Sequence, residues 1–103
     1  MNKLFYTKTA VNDLSEVQNF LSSTSAKYGQ QILNELKYAI SLLKTYPEMG
    51  WQIFTSQQEH LRQVLFHSYR IVYYYQEERV VIITIQYQTR PPENIPQLKD
   101  FKI

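Results

Sequence analysis

The sequence contains no cysteine, only two glycines and only four prolines among its 103 residues. Without thiols there is no disulfide framework, no thiolate nucleophile and no sulfur-ligated zinc or iron, a composition that fits a reducing compartment. With glycine confined to positions 29 and 50, neither a phosphate-binding loop nor a dinucleotide fingerprint can be placed. A serine-hydrolase elbow is likewise missing. The longest uncharged apolar run, Val80 to Ile85, is far too short for a membrane span and contains Thr84. The N-terminus reaches the polar Thr7-Lys8-Thr9 stretch too soon for a secretory signal, so the expected location is the cytoplasm, with no membrane partner. A net charge of +2 is too weak to announce a nucleic-acid binder by itself. His60 and His67 have no third imidazole or carboxylate at a ligand interval, so no metal and no cofactor is expected.

What is present suits one small globular domain spanning 1–103. Apolar types make up 44% of the chain, enough for one modest core in a protein that buries roughly two thirds of its unfolded surface. Residues 3–7 read as a short first strand. Thr9 is the expected N-cap of a first helix over 10–22, in which Ala10, Leu14, Val17 and Leu21 recur at helical steps. Asp13 and Glu16 read as its polar face and negative first turn. The Ser22–Ser25 cluster separates it from a second helix over 26–45, striped by Ile32, Leu36, Ile40 and Leu43 and ended at Tyr46-Pro47.

From residue 61 the period changes. Leu61–Phe66, Arg70–Tyr75 and Val80–Tyr87 are β-rich runs whose spacing predicts a three-strand antiparallel meander, with Glu77-Glu78 in a hairpin turn. The third run is apolar on nearly both faces at its start, which places it inside the sheet, and Pro91-Pro92 ends it. The stretch 51–59 has no clear assignment, and the tail 93–103 either docks on the sheet or stays loose. The predicted fold is therefore α+β in the order β-α-α-β-β-β, a helical hairpin on one face of a small antiparallel sheet. The second sheet face is then left for a partner or for water. In Tyr73-Tyr74-Tyr75 the rings alternate between faces, so at least one points away from the helices.

All four arginines, Arg62, Arg70, Arg79 and Arg90, fall between 62 and 90. RNA cleavage through a 2′-hydroxyl needs cations at the phosphate and groups that move protons. Arg62, Arg70 and Arg90 are the candidate cations for such chemistry, and His67 and Tyr87 the candidate proton carriers. The competing reading makes Arg62 and Arg70 a cross-strand pair, His67 a turn residue and Tyr87 a capping aromatic.

Several short patterns occur in a fixed order: Tyr6-Thr7 with Ala10 and Asp13-Leu14; Leu43, Pro47 and Gly50 in L-x-x-x-P-x-x-G; Leu61-Arg62; Tyr69-Arg70-Ile71-Val72-Tyr73; and Val81, Ile83, Ile85 with Arg90. Together they resemble the RelE/ParE superfamily of toxins from bacterial two-gene toxin–antitoxin systems, over nearly the whole chain. The resemblance implies a toxin neutralised by a cognate antitoxin that wraps an exposed hydrophobic groove, with operator DNA contacted through the antitoxin. Leu14, Val17, Leu21, Trp51, Tyr73 and Tyr75 are the candidate partner-binding residues. The resemblance implies one of two targets, messenger RNA on the translating ribosome for RelE-like members or DNA gyrase for ParE-like members. Here no lysine lies between 45 and 98, Gln57-Gln58-Glu59-His60 precedes Arg62, and no tyrosine follows Arg90. That departure from the nuclease pattern favours the ParE-like branch. The alternatives are an mRNA endonuclease and a non-toxic module that binds antitoxin only.

Overall fold

The structure, a computed structural model, describes residues 2–23, 26–53 and 60–87. In chain order the elements are β1 (Lys3–Tyr6), α1 (Lys8–Ser22), α2 (Ala26–Thr45), β2 (Trp51–Gln52), β3 (Leu61–Phe66), β4 (Tyr69–Gln76) and β5 (Arg79–Tyr87). They form one five-stranded sheet in the order β1-β5-β4-β3-β2. The expected meander is β3-β4-β5, antiparallel throughout, and β5 does lie inside the sheet. The sheet is nonetheless mixed, because β1 pairs with β5 in parallel, Lys3 opposite Arg79 and Tyr6 opposite Ile82. Alternation in sequence marks a strand but not the direction of its neighbour.

The first helix starts two residues earlier than its sequence suggests. Thr7, not Thr9, is the N-cap, and its Oγ1 accepts from the Ala10 N–H at 3.1 Å. The same hydroxyl donates to the Ile83 carbonyl at 2.7 Å, and the Thr7 N–H donates to Ile82 O at 3.0 Å. One residue thus closes the strand and opens the helix. This start moves Asp13 out of the first turn and gives it a different task. Strand β1 ends opposite Ile82, which leaves the outer edge of β5 unpaired beyond that point. Asp13 Oδ2 covers it, accepting from the Ile85 N–H at 2.9 Å and the Thr84 hydroxyl at 2.6 Å.

Ala10 and Val17 from α1, with Leu36, Ile40 and Leu43 from α2, pack on Tyr69, Ile71, Tyr73, Val80, Ile82 and Ile85. These are the helix stripes expected from the spacing. Full burial of each Leu or Ile is worth about 1.5–3 kcal/mol, so this layer supplies most of the drive to fold. A β-bulge opposite Val72 and Tyr73 places one extra residue on β5, so that Ile82 and Ile85 both reach the helix side.

The second face corrects an expectation. It is not left uncovered, because Ile53, Leu61, Val72, Tyr74, Val81 and Ile83 form a second buried cluster there. The cause is the two-sided apolar character of β4 and β5, which demands removal from water on both sides. Tyr74 is the ring of the tyrosine run that points away from the helices. Both hairpin loops use left-handed backbone: Glu77 and Glu78 have φ of 52° and 63°, and His67 has φ of 53°. Among the described residues no helix is long and apolar enough to cross a membrane.

Candidate functional site

The junction after α2 is built around Tyr73. Its ring is fully buried, and its hydroxyl donates to the Pro47 carbonyl at 2.6 Å while accepting from the Gly50 N–H at 3.0 Å. Burial pushes the Tyr73 phenol above the ordinary tyrosine range, against the lowering effects of the Gly50 hydrogen bond and the Arg62 charge. A Cβ at Gly50 would stand 2.5 Å from Tyr73 Oη and 2.7 Å from the Gln63 carbonyl, so only glycine fits. Arg62, opposite Tyr73 in the ladder, donates from Nη1 to Gly50 O at 2.9 Å and to Glu48 O at 3.3 Å. The Pro47, Gly50 and Arg62 signatures are therefore parts of one clasp that ties the end of α2 to the sheet.

Strand alternation separates the candidate cations. Arg62 lies on the helix side beside Tyr73, whereas Arg70 shares the opposite side with Val72, where Nη1 donates to Gln63 Oε1. The two do not face each other across the strands; Arg62 stands opposite Tyr73 and Arg70 opposite Leu65. His67 occupies the β3–β4 turn, its Nε2 3.3 Å from Glu35 Oε2 on α2. Tyr87 is placed through its backbone, opposite Tyr69 in the ladder. Arg90 lies outside the described residues. His60 sets its ring edge-on to Tyr74 with centroids 5.6 Å apart. Among the described residues no three His, Asp or Glu side chains gather as a metal site would require.

The partner-binding candidates divide by burial. Val17 and Tyr73 are core residues, while Leu14, Leu21 and Tyr75 are half-buried against that core. Trp51 is 63% exposed on the short edge strand β2. Among the described residues two grooves flank the helical layer. One, of about 440 Å³, lies between α1 and the ends of β4 and β5, with Val17, Phe20, Tyr69 and Ile85 in its walls. The other, of about 570 Å³, follows the end of α2 past Tyr46, Pro47 and Met49 to Tyr75. Phe20, Tyr46 and Met49 are exposed yet stand outside the helix stripe, and that position was the signal that would have flagged them.

The family model for the ParE toxin of the type II toxin–antitoxin system, parDE, matches residues 4–92. The chain belongs to the ParE toxin family. This family membership makes it the toxin component of a type II system and implies a cognate antitoxin. Solved structures carry the same fold. A chain of the chromosomal ParDE system from P. aeruginosa superposes with a TM-score of 0.71 at 13% identity, over 84% of this chain and 96% of that one. YafQ from E. coli strain BL21(DE3) gives 0.65 at 14% identity, over 86% and 96%. The conserved hypothetical protein HP0894 from Helicobacter pylori gives 0.51 at 13%, over 86% and 97%. No curated protein sequence matches. In this ParE-family chain the order of short patterns has a structural basis: Thr7 and Asp13 fasten α1 to β5, and Pro47, Gly50, Arg62 and Tyr73 fasten α2 to β3 and β4.

Proposed function

We propose that this ParE-family toxin arrests growth in the cytoplasm by acting on DNA gyrase, and that its antitoxin neutralises it by occupying the exposed apolar margins of the helical layer. The observation that carries the reading is the placement of Arg62. Its guanidinium holds two backbone carbonyls of the clasp on the helix side, away from Arg70. A phosphodiester cleavage centre needs its cations and proton carriers converged on one reacting phosphate, because only groups already positioned at the reacting atoms stabilise the charge that develops there. Arg62, Arg70 and His67 do not converge in that way. The absence of lysine from 45 to 98 and the ParE family match support the same branch.

The test is induction of the chain without its antitoxin, followed by growth, transcript integrity and DNA-damage response in the same culture. Growth arrest with a DNA-damage response and intact transcripts is expected. Cleaved transcripts would assign the chain to the endonuclease reading, and undisturbed growth to the non-toxic module.

A further inference from the structure

The groove between α1 and the sheet has a charge character at odds with the rest of the chain. The protein carries a net charge of +2, yet the two ionisable carboxylates at this groove, Asp13 and Glu16, are both acidic and no Lys or Arg lines it among the described residues. Asp13 is already held, through Oδ2, by Thr84 and the Ile85 amide. Glu16 stands exposed one turn before Phe20, which is itself 59% exposed, and makes no hydrogen bond or ion pair among the described residues. Behind them the wall is apolar, formed by Val17, Tyr69 and Ile85. A site with an aromatic lip, an apolar floor and acidic charge at its rim suits an apolar side chain that has a cationic neighbour.

We infer that this groove receives a segment of the antitoxin in which a lysine or arginine stands beside an apolar residue, the cation meeting Glu16 and the apolar side chain packing against Phe20 and Val17. The inference rests on the reading of the chain as an antitoxin-bound toxin and names the charge that segment must carry. Glu16 then acts as a specificity residue. It rejects segments with an acidic residue at the same place, since like charges brought together at an interface cost more than a matched rim pair gains. Asp13 adds to the acidic field but stays bound to the sheet edge.

Titration of the full chain with its purified antitoxin measures this by calorimetry, for the wild type, Glu16→Gln, Glu16→Lys and Phe20→Ala. Weakening of about fivefold is expected for Glu16→Gln and on the order of 50-fold for Glu16→Lys, with the salt dependence of affinity reduced in both. Phe20→Ala should weaken binding more than tenfold, as loss of an aromatic anchor does. Both Glu16 variants keep the wild-type melting temperature, because the side chain is exposed. Arrest of growth by Glu16→Lys alone, with rescue by antitoxin lost, is the matching result in cells. Unchanged affinity in Glu16→Lys overturns the inference. A chain that fails to arrest growth defeats the toxin reading but leaves the calorimetric result to decide the groove.

Discussion

Replacing Gly50 with alanine tests the clasp most sharply. The new Cβ would sit 2.5 Å from Tyr73 Oη, 2.7 Å from the Gln63 carbonyl and 2.8 Å from Tyr73 Cε1. The Gln63 carbonyl belongs to β3, on the side that pairs with Trp51, and cannot move without disturbing that edge of the sheet. Tyr73 has no room to turn, because it is wholly enclosed by the helical layer. The strain therefore falls on the Tyr73 hydroxyl bonds to Pro47 and Gly50, and on the Arg62 bond to the Gly50 carbonyl. Overpacking costs about 1–3 kcal/mol, and each buried polar group stripped of its partner costs about 1–3 kcal/mol. A loss of about 3–5 kcal/mol follows, a large share of the roughly 5–15 kcal/mol that holds a domain folded. Urea unfolding followed by circular dichroism should show a midpoint lowered by about 2–3 M at an unchanged slope. In a Tyr73→Phe background the shortest clash is gone, so the cost of Gly50→Ala should shrink by more than about 1 kcal/mol. A Gly50→Ala protein within about 0.5 kcal/mol of wild type, or strict additivity with Tyr73→Phe, would refute this account of the junction.

The remaining predictions concern the sheet edge, a turn and pH. Asp13→Ala strips the acceptor from the Ile85 amide and the Thr84 hydroxyl and should cost about 2–3 kcal/mol by the same unfolding assay. Glu77→Asn with Glu78→Gly places residues that favour left-handed backbone where both positions already adopt it, and should raise stability by about 1–2 kcal/mol in thermal melts. Because burial raises the Tyr73 phenol above its ordinary value of 10.0, its contribution to stability is whole below pH 10 and disappears as pH climbs through the folded-state value. Stability should therefore hold up to about pH 10 and fall above it, and fall less steeply in Tyr73→Phe.

The sequence showed the elements more readily than their joints. Helix stripes such as Ile32, Leu36, Ile40 and Leu43, and the strand runs from 61 onward, were legible because burial of one face imposes a period. The parallel pairing of β1 was not, since nothing local in Lys3–Tyr6 records which strand it meets or in which direction. The roles of Thr7 and Asp13 are hidden for the same reason. Their partners, Ile83, Thr84 and Ile85, lie more than 70 residues away in the chain. A count of layers leaves the second face open, but β4 and β5, apolar on both sides, require burial on both. At the candidate site, Arg62 and Arg70 read as a charge cluster from their spacing. Strand alternation, eight residues apart but across a turn, sets them on opposite faces. That parity depends on where the hairpin turns, which His67 decides with a left-handed backbone that sequence alone does not announce.

Purified gyrase offers the most direct trial of the central claim. Relaxed plasmid, ATP and gyrase are incubated with the purified chain, with and without an equimolar amount of its antitoxin, and the products are resolved by supercoil and by double-strand breakage. The account predicts inhibited supercoiling or trapped cleavage that the antitoxin reverses. Normal supercoiling beside ribosome-dependent cutting of a translated messenger RNA by the same preparation would contradict it.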